Sequence, residues 1–600
     1  MPTYSDQVRS TEFAPRLWLD LFRRARFLRP TMIRLALIMI GVGVIDALFP
    51  ALNGFAVDRF VTRQSVDGLG AFAGFYLALA ALQGVLIWLL VALAGRIEVG
   101  VIHRFRQDAF MHLQHLSMSY FDRTPRGWIM TRLTSDVQRL GEIVAWGLVD
   151  VAWGLAAMAA TAAAMLLLDV RLALIVLTVV PPLALISVWF QRRVLTEQRH
   201  VRRLNSEISA AFNEGIVATP TTKTLVREAA NLEEFSRLTG RMRGAAIRAA
   251  SFSSLYLPLV ILIGSVGTAL AIVHGGMRVQ LGTLTLGTVV AFVGYTVMFF
   301  EPVREVARVL TEFQAAQSAA ERLSSLLTTA PEIVDSQAVV AKFGTVLAPQ
   351  RDAWPAMHGR VTFERVSFSY SEGEPVLEDF SLDVAAGQSV ALIGETGAGK
   401  STIVNLICRF YEPAAGRILI DGVDIRERSL TWLHGHLGYV LQTPHLFRGT
   451  IRDNIRYGRL DADDEQIEQA ARLVAADEVI RALEGGYARA VGEGGAGLST
   501  GEKQLVSFAR AVLADPRLFI LDEATSSIDT ETELRIQRAT RHLLQGRTSF
   551  VIAHRLSTIR NADRILVLEH GRIVEDGRHS ELMRAAGNYA RLVQEQIAVV

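Results

Sequence analysis

Long apolar segments recur through the first half of the chain. Six of them are long enough to cross a bilayer, which takes about 20 residues of helix. They carry few internal charges, and six in series would need a larger soluble core than this chain offers. The pattern therefore predicts a membrane domain over residues 31–325. The expected helices are 32–54, 70–95, 141–168, 171–190, 249–274 and 285–307.

Arginine is concentrated in the two long connections between these segments, residues 96–140 and 191–248. Because positively charged connections stay in the cytoplasm, we expect both connections and both termini to be cytoplasmic. Apolar residues at helical spacing, such as Val101, Phe105 and Ala109, predict that the flanking helices continue well beyond the membrane.

Residues 1–30 are polar and rich in arginine. They lack the short apolar core of a signal peptide, and we interpret them as an amphipathic segment at the cytoplasmic surface. Inside the spans, Asp46 and Asp150 are notable because intramembrane acids are costly and often functional. Each one either faces a water-filled path or forms a hydrogen bond to a neighbouring helix, and the sequence leaves both interpretations open.

The composition changes after Glu321. Residues 326–358 are polar and interrupted by proline, which predicts a linker. From residue 359 onwards, short apolar runs such as 361–363 and 366–368 predict strands. The expected fold class is an α-helical membrane domain followed by an α/β domain over residues 359–600, and the loop described next identifies the latter as a P-loop domain.

Residues 394–401 read Gly-Glu-Thr-Gly-Ala-Gly-Lys-Ser and fit the phosphate-binding pattern G-x-x-x-x-G-K-[ST]. The apolar run 389–393 before them and the apolar-periodic 402–407 after them supply the required order of strand, loop and helix. Glycine lets the backbone approach phosphates, Lys400 would reach the β- and γ-oxygens, and Ser401 would bind Mg²⁺. We expect ATP and Mg²⁺ as ligands, held by Gly394, Glu395, Thr396, Gly397, Ala398, Gly399, Lys400, Ser401 and Thr402.

Acidic residues follow a second apolar run, 518–521. Asp522 fits a ligand of Mg²⁺, and Glu523 fits the group that orients and polarises the attacking water. His554 follows a third run, 549–553. It could contact the γ-phosphate or orient the water, although a single histidine at a strand end is more often structural.

Seven motifs stand in one order along the chain, and together they carry a family resemblance. They are Tyr370, 394–401, Gln442, 498–502 (Leu-Ser-Thr-Gly-Glu), Asp522 with Glu523, 526–529, and His554. The chain resembles an ABC transporter, specifically an exporter-type half-transporter with six membrane helices fused to one nucleotide-binding domain. The resemblance also covers residues 120–125 and 213–223, which look like the cytoplasmic connections that dock on nucleotide-binding domains.

This resemblance assigns further roles. It implies that Tyr370 stacks on adenine, that Gln442 senses Mg²⁺, and that His554 belongs to the hydrolytic site. It also implies that Ser499 and Gly501 meet the γ-phosphate of a nucleotide held by a second domain.

The chain departs from the family at the signature, where Leu-Ser-Gly-Gly-Gln is usual. Thr500 adds a Cβ that restricts the backbone, and Glu502 places an acid near an anionic ligand. The closest resemblance is to the catalytic-glutamate subunit of heterodimeric bacterial multidrug exporters. It implies a second half-transporter with an ordinary signature and a degenerate Walker B motif, in the bacterial plasma membrane. A homodimer that tolerates the variant signature is the alternative.

The apolar and aromatic character of the spans favours hydrophobic or amphipathic substrates, namely drugs, lipids or peptides, and contact with membrane lipids. A lipid floppase and a siderophore importer on the same scaffold remain open. The net charge of +2 is too small to attract nucleic acid by long-range electrostatics, so we expect no nucleic-acid partner.

Overall fold

The computed structural model describes residues 15–24, 26–370, 375–522, 530–553 and 556–599. It divides into two compact units, each described by itself. Unit 1 comprises Met1–Gln114 and Arg126–Thr329, and unit 2 comprises His115–Pro125 and Ala330–Val600.

Unit 1 is built from helices. Twelve α-helices lie between Pro15 and Thr328 in the described chain, and α4 is the one that falls in unit 2. The helices are α1 (Pro15–Arg24), α2 (Arg29–Ala56), α3 (Leu69–His115), α4 (Met118–Arg123), α5 (Arg126–Thr131), α6 (Val137–Glu142), α7 (Leu148–Leu168), α8 (Val170–Leu177), α9 (Val180–Val217), α10 (Thr219–Thr224), α11 (Glu228–Gln280) and α12 (Leu286–Thr328).

By length and composition, five helical stretches of the described chain can cross a membrane, and a shorter apolar helix accompanies them. The five are Arg26–Thr62, Leu69–His115, Arg126–Leu168, Val170–Phe190 and Glu228–Gln280, and the shorter one is Leu286–Pro302. They fall on the six expected spans, so the predicted helical membrane region is confirmed. Large apolar side chains such as Leu77, Leu167 and Leu185 are exposed on them, which suits lipid better than water.

The fourth expected span, 171–190, is not one continuous helix. It is divided between α8 and α9 by a break at Thr178 and Val179. Prolines at the start of α9 explain the new helix start, because a first-turn proline needs no amide hydrogen. The preceding connection is a single residue, Asp169, whose carboxylate accepts a hydrogen bond from the backbone of Leu172 at 2.8 Å and caps α8.

Four helices of the described chain are far longer than a bilayer requires. Helices α3, α9, α11 and α12 have 47, 38, 53 and 43 residues, whereas about 20 suffice to span the hydrocarbon. These lengths support the prediction that helices extend beyond the membrane.

Small residues bring membrane helices into close contact. A Cβ on Gly54 of α2 or on Gly287 of α12 would overlap the backbone of the other residue, which is the packing typical of membrane helices. The intramembrane Asp46 accepts hydrogen bonds from Gln83 on α3 and, at 3.2 Å, from Trp153 on α7. These bonds favour the structural interpretation of Asp46 over a water-filled path.

Unit 2 is an α/β structure. Its strands are β1 (Gly344–Thr345), β2 (Ala348–Pro349), β3 (Val361–Phe368), β4 (Leu377–Val384), β5 (Ser389–Ile393), β6 (Ala415–Ile420), β7 (Val423–Asp424), β8 (Leu437–Val440), β9 (Gly449–Thr450), β10 (Ala490–Val491), β11 (Leu518–Asp522), β12 (Thr548–Ile552), β13 (Arg564–Glu569) and β14 (Arg572–Gly577). Its further helices are α13 (Gln337–Phe343), α14 (Lys400–Ile407), α15 (Leu430–Gly435), α16 (Ile451–Arg456), α17 (Asp464–Leu473), α18 (Asp477–Ala482), α19 (Thr500–Leu513), α20 (Thr530–Leu544), α21 (Leu556–Arg560), α22 (His579–Ala585) and α23 (Asn588–Val599).

A six-stranded sheet with the order β14-β13-β5-β12-β11-β8 forms the centre of unit 2. All its neighbours are parallel except β14. Alternate residues of β5 enter two different cores, since Val390 and Leu392 face one cluster and Ala391 and Ile393 face the other. A parallel sheet covered on both faces explains why β5 is a continuous apolar run. A four-stranded antiparallel sheet, β4-β3-β6-β7, packs on one face.

The stretch 326–358, expected as a linker, contains ordered elements. Helix α12 continues to Thr328, and α13 and the β1–β2 hairpin follow. The side chain of Asp335 in this stretch is only 7% exposed, and its carboxylate pairs with the guanidinium of Arg409 in unit 2 at 3.0 Å. The same guanidinium donates to Glu412 at 2.9 Å and to the carbonyl of Arg428 at 3.2 Å. This segment is therefore anchored to unit 2 by a buried ion pair.

Replacing Arg409 by leucine should destabilise unit 2, because the Asp335 carboxylate would lose its cation at a site with little access to water. Breaking such a pair costs about 3–5 kcal/mol, which lowers the melting temperature of this unit by about 10 °C in a thermal unfolding scan. The matched control is Arg417→Leu, whose partner Glu364 is exposed, and this variant should shift the melting temperature little. Equal shifts in both variants would contradict the role of the buried pair.

Candidate nucleotide site

The glycine-rich loop joins β5 to α14, as the sequence predicted. Gly394, Gly397 and Gly399 adopt φ values of +151°, +91° and +99°, a region that side chains with a Cβ rarely enter. A Cβ on Gly394 would overlap the carbonyl oxygen of Leu568 on β13. The tip of the loop, 395–397, is exposed. The loop therefore packs closely on the sheet on one side and is open to a ligand on the other.

Lys400, the first residue of α14, folds back across this loop. Its ammonium donates to the carbonyl oxygens of Gly394 at 2.6 Å and of Glu395 at 2.8 Å. Burial lowers the pKa of Lys400, and the carboxylate of Asp522 opposes that shift. A buried cation at a helix start, together with the loop amides, is an arrangement suited to binding phosphate.

The sheet register places the other predicted groups at the same edge as the loop. Leu392 on β5 is paired with Ile552 on β12, and Ile552 is paired with Asp522 on β11. Since these strands are parallel, their carboxyl ends meet at one edge. Gln442 lies two residues beyond the end of β8, which pairs with β11, and its side chain is exposed.

Ser401 is exposed at the start of α14. The hydroxyl of Ser401, the carboxylate of Asp522 and the amide of Gln442 are oxygen ligands of the kind that Mg²⁺ prefers. The donor set thus fits a magnesium ion bound together with a nucleotide.

Two predicted catalytic residues, Glu523 and His554, lie outside the described residues, as does the motif 526–529. The strands that precede Glu523 and His554 are described. β11 ends at Asp522 and β12 ends at Ile552, both at the edge that carries the phosphate loop.

Tyr370 is attached to the helix that begins in the phosphate loop. Its hydroxyl forms a hydrogen bond with Thr402 at 3.1 Å and accepts one from Asn405 at 3.2 Å. Its ring lies at right angles to the ring of Tyr411, with the centroids 5.0 Å apart. Sequence reasoning missed Asn405 and Tyr411, because neither residue belongs to a motif that was recognised.

The signature residues begin another helix, α19. Ser499 is its N-cap, and Thr500 is its first residue, so the backbone at Thr500 is helical and exposed. The Cβ of Thr500 therefore causes no backbone strain, because the helical conformation at this position is open to any residue. Gly501 is buried in the first turn. Among the described residues, the side-chain hydrogen bonds of Ser499 stay within this cap and do not reach the loop 394–401.

Glu502 completes a capping box with Ser499. Its carboxylate accepts a hydrogen bond from the amide of Ser499 at 2.7 Å, and its own amide donates to the Ser499 hydroxyl at 3.3 Å. The Glu502 carboxylate therefore has a partner within its own helix start. The pattern S-x-x-E, formed by Ser499 and Glu502, is the sequence signal that predicts such a box.

Comparison with known proteins agrees with the two units. Residues 32–303 match the ABC transporter transmembrane region, and residues 377–526 match the ABC transporter domain. The chain is 35% identical over 584 residues to an uncharacterized ABC transporter ATP-binding protein, YknV, of Bacillus subtilis, covering 96% of this chain and 95% of that one.

Two further relatives have more specific names. A fatty acid ABC transporter ATP-binding/permease protein of Mycobacterium bovis is 38% identical over 540 residues, or 89% of this chain and 83% of that one. A probable multidrug resistance ABC transporter ATP-binding/permease protein, YheH, of Bacillus subtilis is 38% identical over 499 residues, or 83% and 72%. The chain therefore belongs to the ABC transporters, and its second domain is an ATPase coupled to transport.

Proposed function

We propose that this chain is one half of an ATP-driven exporter that moves hydrophobic or amphipathic substrates across the bacterial plasma membrane. One observation carries the proposal. A buried lysine and a glycine-rich loop stand at the same sheet edge as Asp522, on a chain whose other unit is made of long apolar helices. The names of the relatives, fatty acid and multidrug transporters, support a drug or lipid as the substrate.

In this proposal the loop and Tyr370 bind ATP, with the ring of Tyr370 stacked on adenine. Ser401, Gln442 and Asp522 hold Mg²⁺, which neutralises charge on the phosphate oxygens. Glu523 takes a proton from the attacking water, and His554 orients that water beside the γ-phosphate.

We further propose that both termini and both long connections face the cytoplasm. The arginine-rich connections 96–140 and 191–248 support this orientation. ATP binding then closes two nucleotide domains and turns the membrane cavity outward, and hydrolysis resets it. Domain boundaries at 31–325 and 359–600, with an amphipathic segment 1–30, belong to the same proposal.

The partner in this assembly is a different half-transporter. Each ATP would lie between the phosphate loop of one domain and the signature of the other. The signature of this chain carries the Glu502 carboxylate on the amide of Ser499, where a phosphate would bind. One site, built on Lys400, Asp522 and Glu523, is therefore proposed to be hydrolytic, and the other degenerate.

Gly394→Ala should weaken ATP binding by at least about tenfold, because the added Cβ displaces the loop at a strained φ. The measurement is a titration of the purified full-length transporter with a fluorescent ATP analogue. Gly387→Ala is the matched control, since its φ of +79° is also positive but its Cβ would point into open space. Equal losses in both variants would assign the effect to backbone strain alone.

Glu523→Gln should stop ATP turnover and leave ATP binding intact, because the amide keeps the size of the side chain but cannot accept the proton of water. Turnover is measured as phosphate release, and transport as uptake of a hydrophobic dye or a labelled phospholipid into inside-out vesicles. Both signals should disappear together. The exposed Glu465→Gln on α17 serves as the control, and wild-type turnover in Glu523→Gln would remove Glu523 from its role.

Purification through a tag on this chain from its native membrane should recover a second, different half-transporter. We expect that partner to carry Leu-Ser-Gly-Gly-Gln and to lack the Walker B glutamate. Recovery of this chain alone as an active dimer would refute the heterodimer. A second test is the double variant Thr500→Gly with Glu502→Gln, which keeps a capping residue but removes the charge. It should raise turnover, and an unchanged rate would show that the variant signature is neutral.

A further inference from the structure

The ring of Tyr370 is fixed by a second tyrosine. Its hydroxyl is tied to α14, and its ring meets Tyr411 at 86° with the centroids 5.0 Å apart. Aromatic pairs at right angles are favourable beyond their burial. Tyr411 is 9% exposed, so neighbouring atoms hold its ring in place. Because the Tyr370 ring packs against it, the position of Tyr411 limits the orientation of the Tyr370 ring.

Tyr411 is held in turn by a carboxylate from the first cytoplasmic connection. Its phenol donates to Asp122 on α4 at 2.5 Å, the length of a charge-assisted hydrogen bond. Burial and the Asp122 carboxylate raise the pKa of Tyr411, so the phenol remains a donor at neutral pH.

Helix α4 also holds the backbone of Tyr370 directly. The guanidinium of Arg123 donates to the carbonyl of Tyr370 at 3.2 Å and pairs with Glu332 at 3.0 Å. Ser119 donates to the same Glu332 at 2.6 Å. One short helix therefore contacts Tyr370 through its backbone and, by way of Tyr411, through its ring.

We propose that Asp122 and Tyr411 are positioning residues that hold the Tyr370 ring against the nucleobase of ATP. This rests on the proposed adenine-stacking role of Tyr370. Helix α4 begins at Met118, three residues after α3 ends at His115, so base recognition depends on a segment that continues from a membrane helix. In this proposal, a shift of α4 weakens the stacking of Tyr370 on the nucleobase of ATP but does not alter the phosphate loop.

Tyr411→Phe tests this in the full-length transporter, because it removes the hydroxyl and keeps the ring. The KM for ATP should rise about threefold to tenfold, because a Tyr370 ring that is no longer held in place loses its stacking on adenine, worth about one aromatic contact, with kcat close to wild type. Inhibition by inorganic tripolyphosphate, which has no base, should be unchanged. Tyr487→Phe is the matched control, since its phenol donates to Asp477 at 2.6 Å and it is 5% exposed.

Asp122→Ala should reproduce the KM effect of Tyr411→Phe. An unchanged KM in both variants overturns the proposal, and so does an equal shift in Tyr487→Phe or in the inhibition by tripolyphosphate. Tyr370→Ala distinguishes the role of Tyr370 in stacking on adenine from its positioning by Asp122 and Tyr411. An unchanged KM for ATP in Tyr370→Ala refutes the role of Tyr370 itself. A raised KM there, with a normal KM in Tyr411→Phe, refutes only the positioning by Asp122 and Tyr411.

Discussion

Burial of both faces of the parallel sheet is the constraint on which the site depends. Successive residues of β5 alternate between two apolar cores, so a slip of one residue would exchange the cores completely. The resulting register aligns Leu392, Ile552 and Asp522 across three strands. The phosphate loop and Asp522 stand at the same sheet edge because the apolar side chains on the two faces of the sheet exclude a one-residue slip.

The parts of this arrangement that have local signals could be predicted from the sequence. The apolar run 389–393 and the loop after it determine a strand and a turn within a dozen residues, and both were found. The buried pair of Asp335 with Arg409 joins residues 74 apart, and the bond of Asp122 to Tyr411 joins residues 289 apart. Neither pair leaves a pattern in the sequence, because only the tertiary fold brings its members together.

Two differences were within reach of local reasoning. Pro181 and Pro182 sit inside the fourth expected span, and proline favours a helix start, which is where α9 begins. Ser499 and Glu502 have the spacing of a capping box. The helix-capping role of Glu502 follows from this local spacing, whereas comparison with the usual signature shows only a mismatch.

In the proposed heterodimer, a nucleotide would have to replace the hydrogen bond between the Glu502 carboxylate and the Ser499 amide. The free energy of this bond is small, which limits how strongly it can oppose nucleotide binding. Giving up an N-cap bond costs about 1 kcal/mol, or roughly a fivefold loss of affinity. Repulsion between Glu502 and a phosphate adds about 1 kcal/mol per unit charge at 4 Å in water, and more where water is excluded. Glutamine would keep the cap without the repulsion. In the proposed heterodimer, the repulsion specific to Glu502 would therefore weaken ATP binding without preventing it, which suits a site that holds nucleotide but does not drive the cycle.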